Sequence, residues 1–236
     1  MSGHSHWATI KHKKAKEDAK RGKVFTKLIK EITVAAKVGG GDLNGNPRLR
    51  DLVTKARNAN MPQENIMRAI KKGTGELPGV TYEAQTYEGY GPFGIAVIVE
   101  ALTDNKNRTV AELRHIFSAK KGNLAETGAV SWMFEKMGVI RVTDGDEDKI
   151  LEMLLDYDIK DVTSGSGFIQ ITCSPKVVSS ILEVLKAAGI HVENNDIEWV
   201  AKTKTSLEKE QEEKAIEFLT ELEDVDDVQD VYANLS

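Results

Sequence analysis

The sequence has little cysteine, no long apolar run and no recognisable catalytic motif. One cysteine, Cys173, in 236 residues excludes an internal disulfide and any cysteine-based zinc cluster. The longest nearly unbroken apolar stretch, residues 94–102, is interrupted by Glu100 and is far shorter than the roughly 20 residues that a membrane-spanning helix needs. We therefore expect a soluble globular chain with room for one large domain or two to three small ones.

Established enzyme signatures are also missing. There is no glycine-rich phosphate loop with a lysine, no nucleophile elbow and no metalloprotease helix, and residues 165–167 lack the third glycine of a dinucleotide fingerprint. The spacing of His4, His6 and His12 fits no established zinc site. We expect a protein that is not an enzyme and that uses no metal ion, no cofactor and no small-molecule substrate.

The first residues carry no targeting signal that we recognise. Residues 1–7 lack the apolar core of a signal peptide. A mitochondrial presequence would be rich in arginine and nearly free of acids, whereas the segment that follows is rich in lysine and contains Glu17 and Asp18. We expect a cytoplasmic protein without a membrane partner.

What the sequence does have is a segregated charge. Residues 1–75 carry 17 Lys and Arg against 6 Asp and Glu, whereas the remaining residues carry 15 against 31. The formal net charge of −5 therefore hides a strongly basic amino-terminal block. Segregation of this size favours an anionic partner such as nucleic acid. An acidic protein partner, with this chain as an interaction scaffold, is the alternative.

Candidate nucleic-acid contacts come from two parts of this block. An amino-terminal arm, residues 4–23, places cations within reach of a phosphate backbone, unless it is only a solvated charge run. Trp7 and His12 beside these cations could stack on an unpaired base, although Trp7 could equally pack against the first helix. The helices that follow present further cations. The predicted contacts are Trp7, Lys11, His12, Lys13, Lys14, Lys16, Lys20, Arg21, Lys23, Lys27, Lys30, Arg48, Arg50, Lys55 and Arg57.

Apolar periodicity predicts three helices in the basic block, with buried faces at Leu49, Leu52, Val53 and Ala56 in the second and at Ile66, Ala69 and Ile70 in the third. We expect firm structure from Val24, a first helix that ends at glycines 39–41, a second that starts at Asn46-Pro47, and a third that begins at Pro62 and closes at Gly73. Residues before Val24 have no apolar face and are expected to be flexible or helical only on binding. Lys23, Lys27, Lys30 and Lys37 should lie on the outside of the first helix.

The rest of the chain alternates strands and helices. The order βαββαβ over 129–204, with its first strand at 130–142, is the split βαβ arrangement of ferredoxin-like domains. Two strands and a helix before it, and a helix and a strand after it, predict a second α+β unit. The fold class is thus α+β with three domains: a basic arm plus helical domain over 1–79, a discontinuous α/β domain over 80–128 and 205–236, and an inserted ferredoxin-like domain over 129–204.

Seven segments spread along nearly the whole chain share one pattern. They are GHSHWATIKHKK at 3–14, DAKRGKVFTKLIKEI at 18–32, GGGD at 39–42, NPRLR at 46–50, YEGYGP at 87–92, DNKNRT at 104–109 and DDVQDVY at 226–232. Together these segments closely resemble the YebC/PmpR family. The family usually has lysine where His6 stands and glycine where Phe93 stands, and these two departures are small.

The resemblance implies a three-domain α+β protein that regulates gene expression. Members of the family are described as DNA-binding transcriptional regulators. Others, including the mitochondrial translational activator of cytochrome oxidase, are described as ribosome-associated translation factors that act at proline-rich stretches. The partner expected here is therefore promoter DNA or, as the alternative, ribosomal RNA on the ribosome. Both are polyanions, so the charge pattern does not choose between them.

Overall fold

The basic block folds into three packed helices. A computed structural model of the protein describes residues 21–143, 145–165 and 167–236, and of Arg21 the backbone only. The apolar stripe of the second helix, Leu49, Leu52, Val53 and Ala56, is buried as predicted. The three helices are α1 (Arg21–Gly39), α2 (Pro47–Asn58) and α3 (Gln63–Thr74).

Asn46 joins the end of α1 to the start of α2. Its side-chain oxygen accepts a hydrogen bond from the backbone N–H of Leu49 at 3.1 Å, which caps α2. Its amide nitrogen donates to the carbonyl oxygens of Ala35 at 2.9 Å and Gly40 at 2.8 Å. One buried side chain therefore caps the start of α2 and also binds two carbonyl oxygens, one in the last turns of α1 and one just after it.

Two expectations about helix ends are wrong. The first helix already includes residues 21–23, three residues before the predicted start. The third does not close at Gly73, because it continues to Thr74 and ends at Gly75, whose φ of 84° is the left-handed conformation that favours glycine. Gly73 has a packing role instead: a Cβ atom there would lie 2.4 Å from the carbonyl oxygen of Thr33, so glycine allows α3 to approach α1 closely.

The first sheet is built from segments that precede and follow the second sheet in the sequence. Its strand order is β3-β1-β2-β8, and all its pairs are antiparallel. Helices α4 (Lys106–Ala119) and α7 (Lys209–Glu223) cover one face, where Phe117 and Phe218 meet edge to face with ring centroids 5.0 Å apart. The strands are β1 (Glu83–Tyr90), β2 (Ala96–Thr103), the three-residue β3 (Asn123–Ala125), which the sequence pattern did not reveal, and β8 (Val228–Ala233).

The second sheet has the predicted ferredoxin-like topology. Its strand order is β5-β6-β4-β7 with antiparallel pairs, and two helices cover one face around Ile140, Ile171 and Leu185. The expected strand at 130–142 is shorter, because residues 131–133 form a single 3₁₀ turn. The elements are β4 (Phe134–Val142), α5 (Glu147–Met153), β5 (Ile159–Gly165), β6 (Phe168–Cys173), α6 (Val178–Ala187) and β7 (Val192–Ala201).

The fold class is therefore confirmed: a helical amino-terminal unit is followed by two antiparallel sheets covered by helices. The sheets contact each other where Ala96, Ile98 and Tyr232 of the first pack against Phe134 and its neighbours in the second. The division into domains at 79/80, 128/129 and 204/205 stays a prediction.

Candidate nucleic-acid interface

The predicted contact residues divide into three sets. Those up to Lys20 lie outside the described residues, and for Arg21 only the position in α1 is described. A second set contacts the acidic remainder of the chain. A third set is exposed on α2. The residues outside the described part are Trp7, Lys11, His12, Lys13, Lys14, Lys16 and Lys20.

Three lysines of α1 face the turn between α7 and β8 and the start of β8. The ammonium of Lys23 donates to the carbonyl oxygen of Asp224 at 3.1 Å, and that of Lys27 donates to the carbonyl oxygen of Gln229 at 3.2 Å. Lys30, one turn further, donates to the carbonyl oxygen of Asp226 at 2.8 Å. Positions 23, 27 and 30 share one helix face. That face therefore docks the helical unit onto the rest of the protein.

The expectation that Lys30 lies on the outside is wrong. Its residue is only 6% exposed, and its ammonium lies 2.7 Å from the Oδ1 atom of Asp227, which is also buried. An ammonium held by a buried carboxylate and a carbonyl is not available to a phosphate in this conformation.

Asp227 collects hydrogen bonds from three elements. Its Oδ2 atom accepts from the hydroxyl of Thr109 at 2.8 Å, from the hydroxyl of Thr103 at 3.1 Å and from the guanidinium of Arg108 at 2.7 Å. Burial alone would raise the pKa of this carboxyl, but the hydrogen bonds from Lys30, Arg108 and Thr109 outweigh it and lower the pKa to about 2. The carboxylate is thus ionised at neutral pH and fully partnered.

A second contact between the helical unit and the remainder involves α2 and β7. Lys55 forms an ion pair with Asp196 that is about half-exposed. Glu31 of α1 lies nearby: burial and Asp230 raise its pKa to about 7, while Lys55 and Arg48 oppose the rise. This side of α2 is therefore committed to contacts within the molecule.

The opposite flank of α2 is open. Arg50 and Arg57 lie seven residues apart on one face, about half a turn around the helix from Arg48 and Lys55. Both arginines are exposed, and the one side-chain hydrogen bond recorded for this pair joins Arg50 to the carbonyl oxygen of Leu43 at 3.4 Å. Of the predicted contacts, these two best keep their cationic groups at the surface. Arg48 is exposed as well, but on the flank that faces Glu31.

A further cationic face, outside the set of predicted contacts, lies on α3. Arg68, Lys71 and Lys72 are exposed and lie opposite the buried residues of that helix, where Glu64 is the only acidic residue. Their spacing of three and four residues could have revealed them, because the buried stripe of α3 was predicted correctly. Lys71 and Lys72 also lie in the final turn of α3, where positive charges interact favourably with the helix dipole even when no ligand is bound.

The described residues offer no other evident chemistry. They hold no group of three or more histidine, cysteine, aspartate or glutamate side chains that could bind a metal ion. Nor does any helix in residues 21–143, 145–165 or 167–236 combine the length and apolar character needed to cross a membrane. The exposed arginines and lysines of α2 and α3 can bind anions as an electrostatic surface.

Family models and relatives match nearly the whole chain. The model of the TACO1/YebC protein N-terminal domain matches residues 5–76, and that of the TACO1/YebC second and third domain matches residues 82–235. A probable transcriptional regulatory protein of Desulforapulum autotrophicum is 50% identical over 99% of this chain and 96% of its own length. Another of Geobacter sulfurreducens is 53% identical over 99% and 95%.

One solved structure has the same fold. A conserved hypothetical protein from Aquifex aeolicus superposes with a TM-score of 0.88 and is 46% identical, covering 98% of this chain and 97% of its own. The agreement extends from the helical unit through both sheets because the match covers almost every residue of each chain. The chain belongs to the TACO1/YebC family.

Proposed function

We propose that this chain is a non-enzymatic regulator of transcription that binds nucleic acid through the outward faces of α2 and α3. The observation that carries the proposal is the division of the basic block. One set of cations is used to dock the helical unit onto the acidic remainder, and Arg50, Arg57, Arg68, Lys71 and Lys72 are left exposed. The names of the relatives supply the transcriptional part of the proposal.

The charge of the remainder favours docking through the basic block. Residues 76–236 carry 31 Asp and Glu against 15 Lys and Arg, so a polyanion is attracted to the basic block more strongly than to this part. The predicted arm cations, Lys11, Lys13, Lys14 and Lys16 among them, add to the positive charge of the block. Promoter DNA is the proposed partner, since relatives are named transcriptional regulatory proteins.

A charge-reversal experiment tests the proposal. We expect the triple variant Arg50→Glu, Arg57→Glu, Arg68→Glu to lose most of its affinity for duplex DNA in a filter-binding titration at about 50 mM salt, because three phosphate contacts are removed and three repulsive charges added. The matched control reverses three exposed lysines of the second sheet unit, Lys149, Lys176 and Lys186, and changes the net charge equally.

The outcomes separate the parts of the proposal. Equal loss in both triple variants would mean that only net charge matters and would overturn the proposed face. Absence of any affinity for DNA in the unmodified protein would overturn DNA binding itself. Recovery of ribosomal RNA instead of promoter DNA after crosslinking in cells would overturn the transcriptional assignment.

A further inference from the structure

Three exposed aromatic side chains lie outside the proposed basic face: Tyr90 at the end of β1, Phe93 in the turn that follows and Trp132 in the 3₁₀ turn before β4. Between residues 81 and 143, every exposed large hydrophobic side chain is aromatic: Tyr90 is 38% exposed, Phe93 45% and Trp132 67%. Exposed large aliphatic side chains lie elsewhere along the described chain, as at Val80 and Leu151. Residues 81–143 thus expose aromatic rings but no large aliphatic side chain.

Two of these side chains donate hydrogen bonds to the same backbone atom. The carbonyl oxygen of Ala129 accepts a hydrogen bond from the hydroxyl of Tyr90 at 3.2 Å and another from Nε1 of Trp132 at 3.0 Å. Both polar tips are satisfied within the protein, so the exposed parts of both side chains are chiefly the ring surfaces. The shared acceptor holds the two aromatic side chains next to each other.

The segment that carries Trp132 is held rigidly by a buried carboxylate. Glu88, 3% exposed, accepts hydrogen bonds of 2.8 Å from each of the backbone N–H groups of Gly128, Val130 and Ser131. Burial opposes the ionisation of Glu88, but these backbone donors outweigh it and lower its pKa. Because this segment is already fixed, the tryptophan would lose less conformational entropy on binding a ligand.

Phe93 has a backbone conformation that is unfavourable for a bulky side chain. It follows the strand that ends at Tyr90 and has a φ of 60°, which is unusual for a bulky side chain. The family resembled by this sequence usually has glycine at the position, and glycine would adopt this φ without strain. An exposed phenylalanine kept at a glycine-like position is a strained feature of the kind that concentrates at functional sites.

We propose that Tyr90 and Trp132, with Phe93 three residues after Tyr90, form a stacking platform for an unpaired base of a single-stranded nucleic acid. Aromatic rings stack on any base, because every base presents a π face. Lys202 supplies a cation at the platform, since its ammonium donates to the carbonyl oxygen of Trp132 at 2.9 Å. This inference rests on the proposed nucleic-acid binding and adds the class of partner: a strand with exposed bases, of DNA or RNA.

The test compares oligonucleotides with and without bases. Fluorescence anisotropy of labelled single-stranded DNA, RNA and an abasic oligonucleotide of equal length would be measured for the full chain and its variants. We expect Trp132→Ala to weaken binding of the base-containing strands about 5- to 100-fold and to leave the abasic strand unaffected. Trp132→Phe should restore most of the affinity. Leu155→Ala is the matched control, because Leu155 is 68% exposed in the turn after α5.

Two further measurements keep the result interpretable. Urea unfolding should give Trp132→Ala and Trp132→Phe similar midpoints. The second measurement uses a Trp7→Phe background, in which nucleic acid should quench the tryptophan emission of the protein. This quench should vanish when Trp132→Phe is added. Phe93→Gly should weaken base-dependent binding without loss of stability. The DNA and RNA arms identify which strand is preferred.

Several results would overturn the platform. Unchanged affinity of Trp132→Ala for the base-containing strands would do so, as would an equal loss on the abasic strand. If Trp132→Ala instead lowers the sedimentation coefficient and leaves nucleic-acid binding intact, the rings form a contact between copies of the chain and the proposal is wrong. If the platform fails but the abasic strand still binds in a salt-dependent way, the proposed electrostatic binding of nucleic acid is unaffected.

Discussion

The cations of α1 and those on the outer faces of α2 and α3 come from one basic segment but have different surroundings. Lys30 is buried between a carboxylate and a carbonyl oxygen, whereas Arg57 is exposed on α2. The residue type and the local charge density are similar, and the difference lies in what the remainder of the chain places opposite each helix face. A basic segment can therefore combine internal docking with an external electrostatic surface.

The largest expected difference between the two regions is in stability. We expect Lys30→Met to lower the free energy of unfolding by about 3 kcal/mol, because it leaves the buried carboxylate of Asp227 without its closest cation on α1. Arg57→Met should change it by less than about 0.5 kcal/mol, since that side chain is exposed. Urea unfolding of both variants measures the contrast, and similar values would remove the distinction between the two regions.

A pH series tests the boundary between the two regions, where Glu31 lies. The pKa of Glu31 is raised from its ordinary value of 4.5 to about 7, so its contribution to stability is fully present below about pH 4.5 and is lost as the pH rises through 7. Glu31→Gln should remove this loss and stabilise the protein at pH 8 by on the order of 2 kcal/mol. Thermal unfolding between pH 5 and 8 would show it. A variant that follows the wild-type pH profile would contradict the account.

The smallest expected effect belongs to the exposed end of the docked face. Lys23 and Asp224 form an ion pair of 3.5 Å in which both side chains are at least 40% exposed. Solvent and salt screen such a pair, so Lys23→Ala should cost less than about 1 kcal/mol in urea unfolding. A cost equal to that of Lys30→Met would mean that burial does not set the strength of these contacts.

Local patterns predicted the elements but not the contacts between distant segments. The stripe at Leu49, Leu52, Val53 and Ala56 was sufficient to place α2, because helical periodicity is a property of neighbouring residues. The three-residue strand β3 was missed, since so short a segment carries no measurable alternation.

The candidate site shows the same limit. The burial of Lys30 could not be predicted, because its partner Asp227 lies 197 residues away and no local signal links the two. Likewise, Tyr90 and Trp132 meet only through the carbonyl oxygen of Ala129 after the first sheet has formed. The role of the arm, including Trp7 and Lys11, stays a prediction.

The salt dependence of DNA binding tests the division of the basic block most directly. For duplex DNA, log affinity falls against log salt with a slope of about −0.9 for each phosphate contact. We predict that Arg57→Gln reduces the magnitude of this slope by about 0.9, whereas Lys27→Gln leaves it unchanged because Lys27 is turned towards Gln229. A reduced slope for Lys27→Gln together with an unchanged slope for Arg57→Gln would contradict the account.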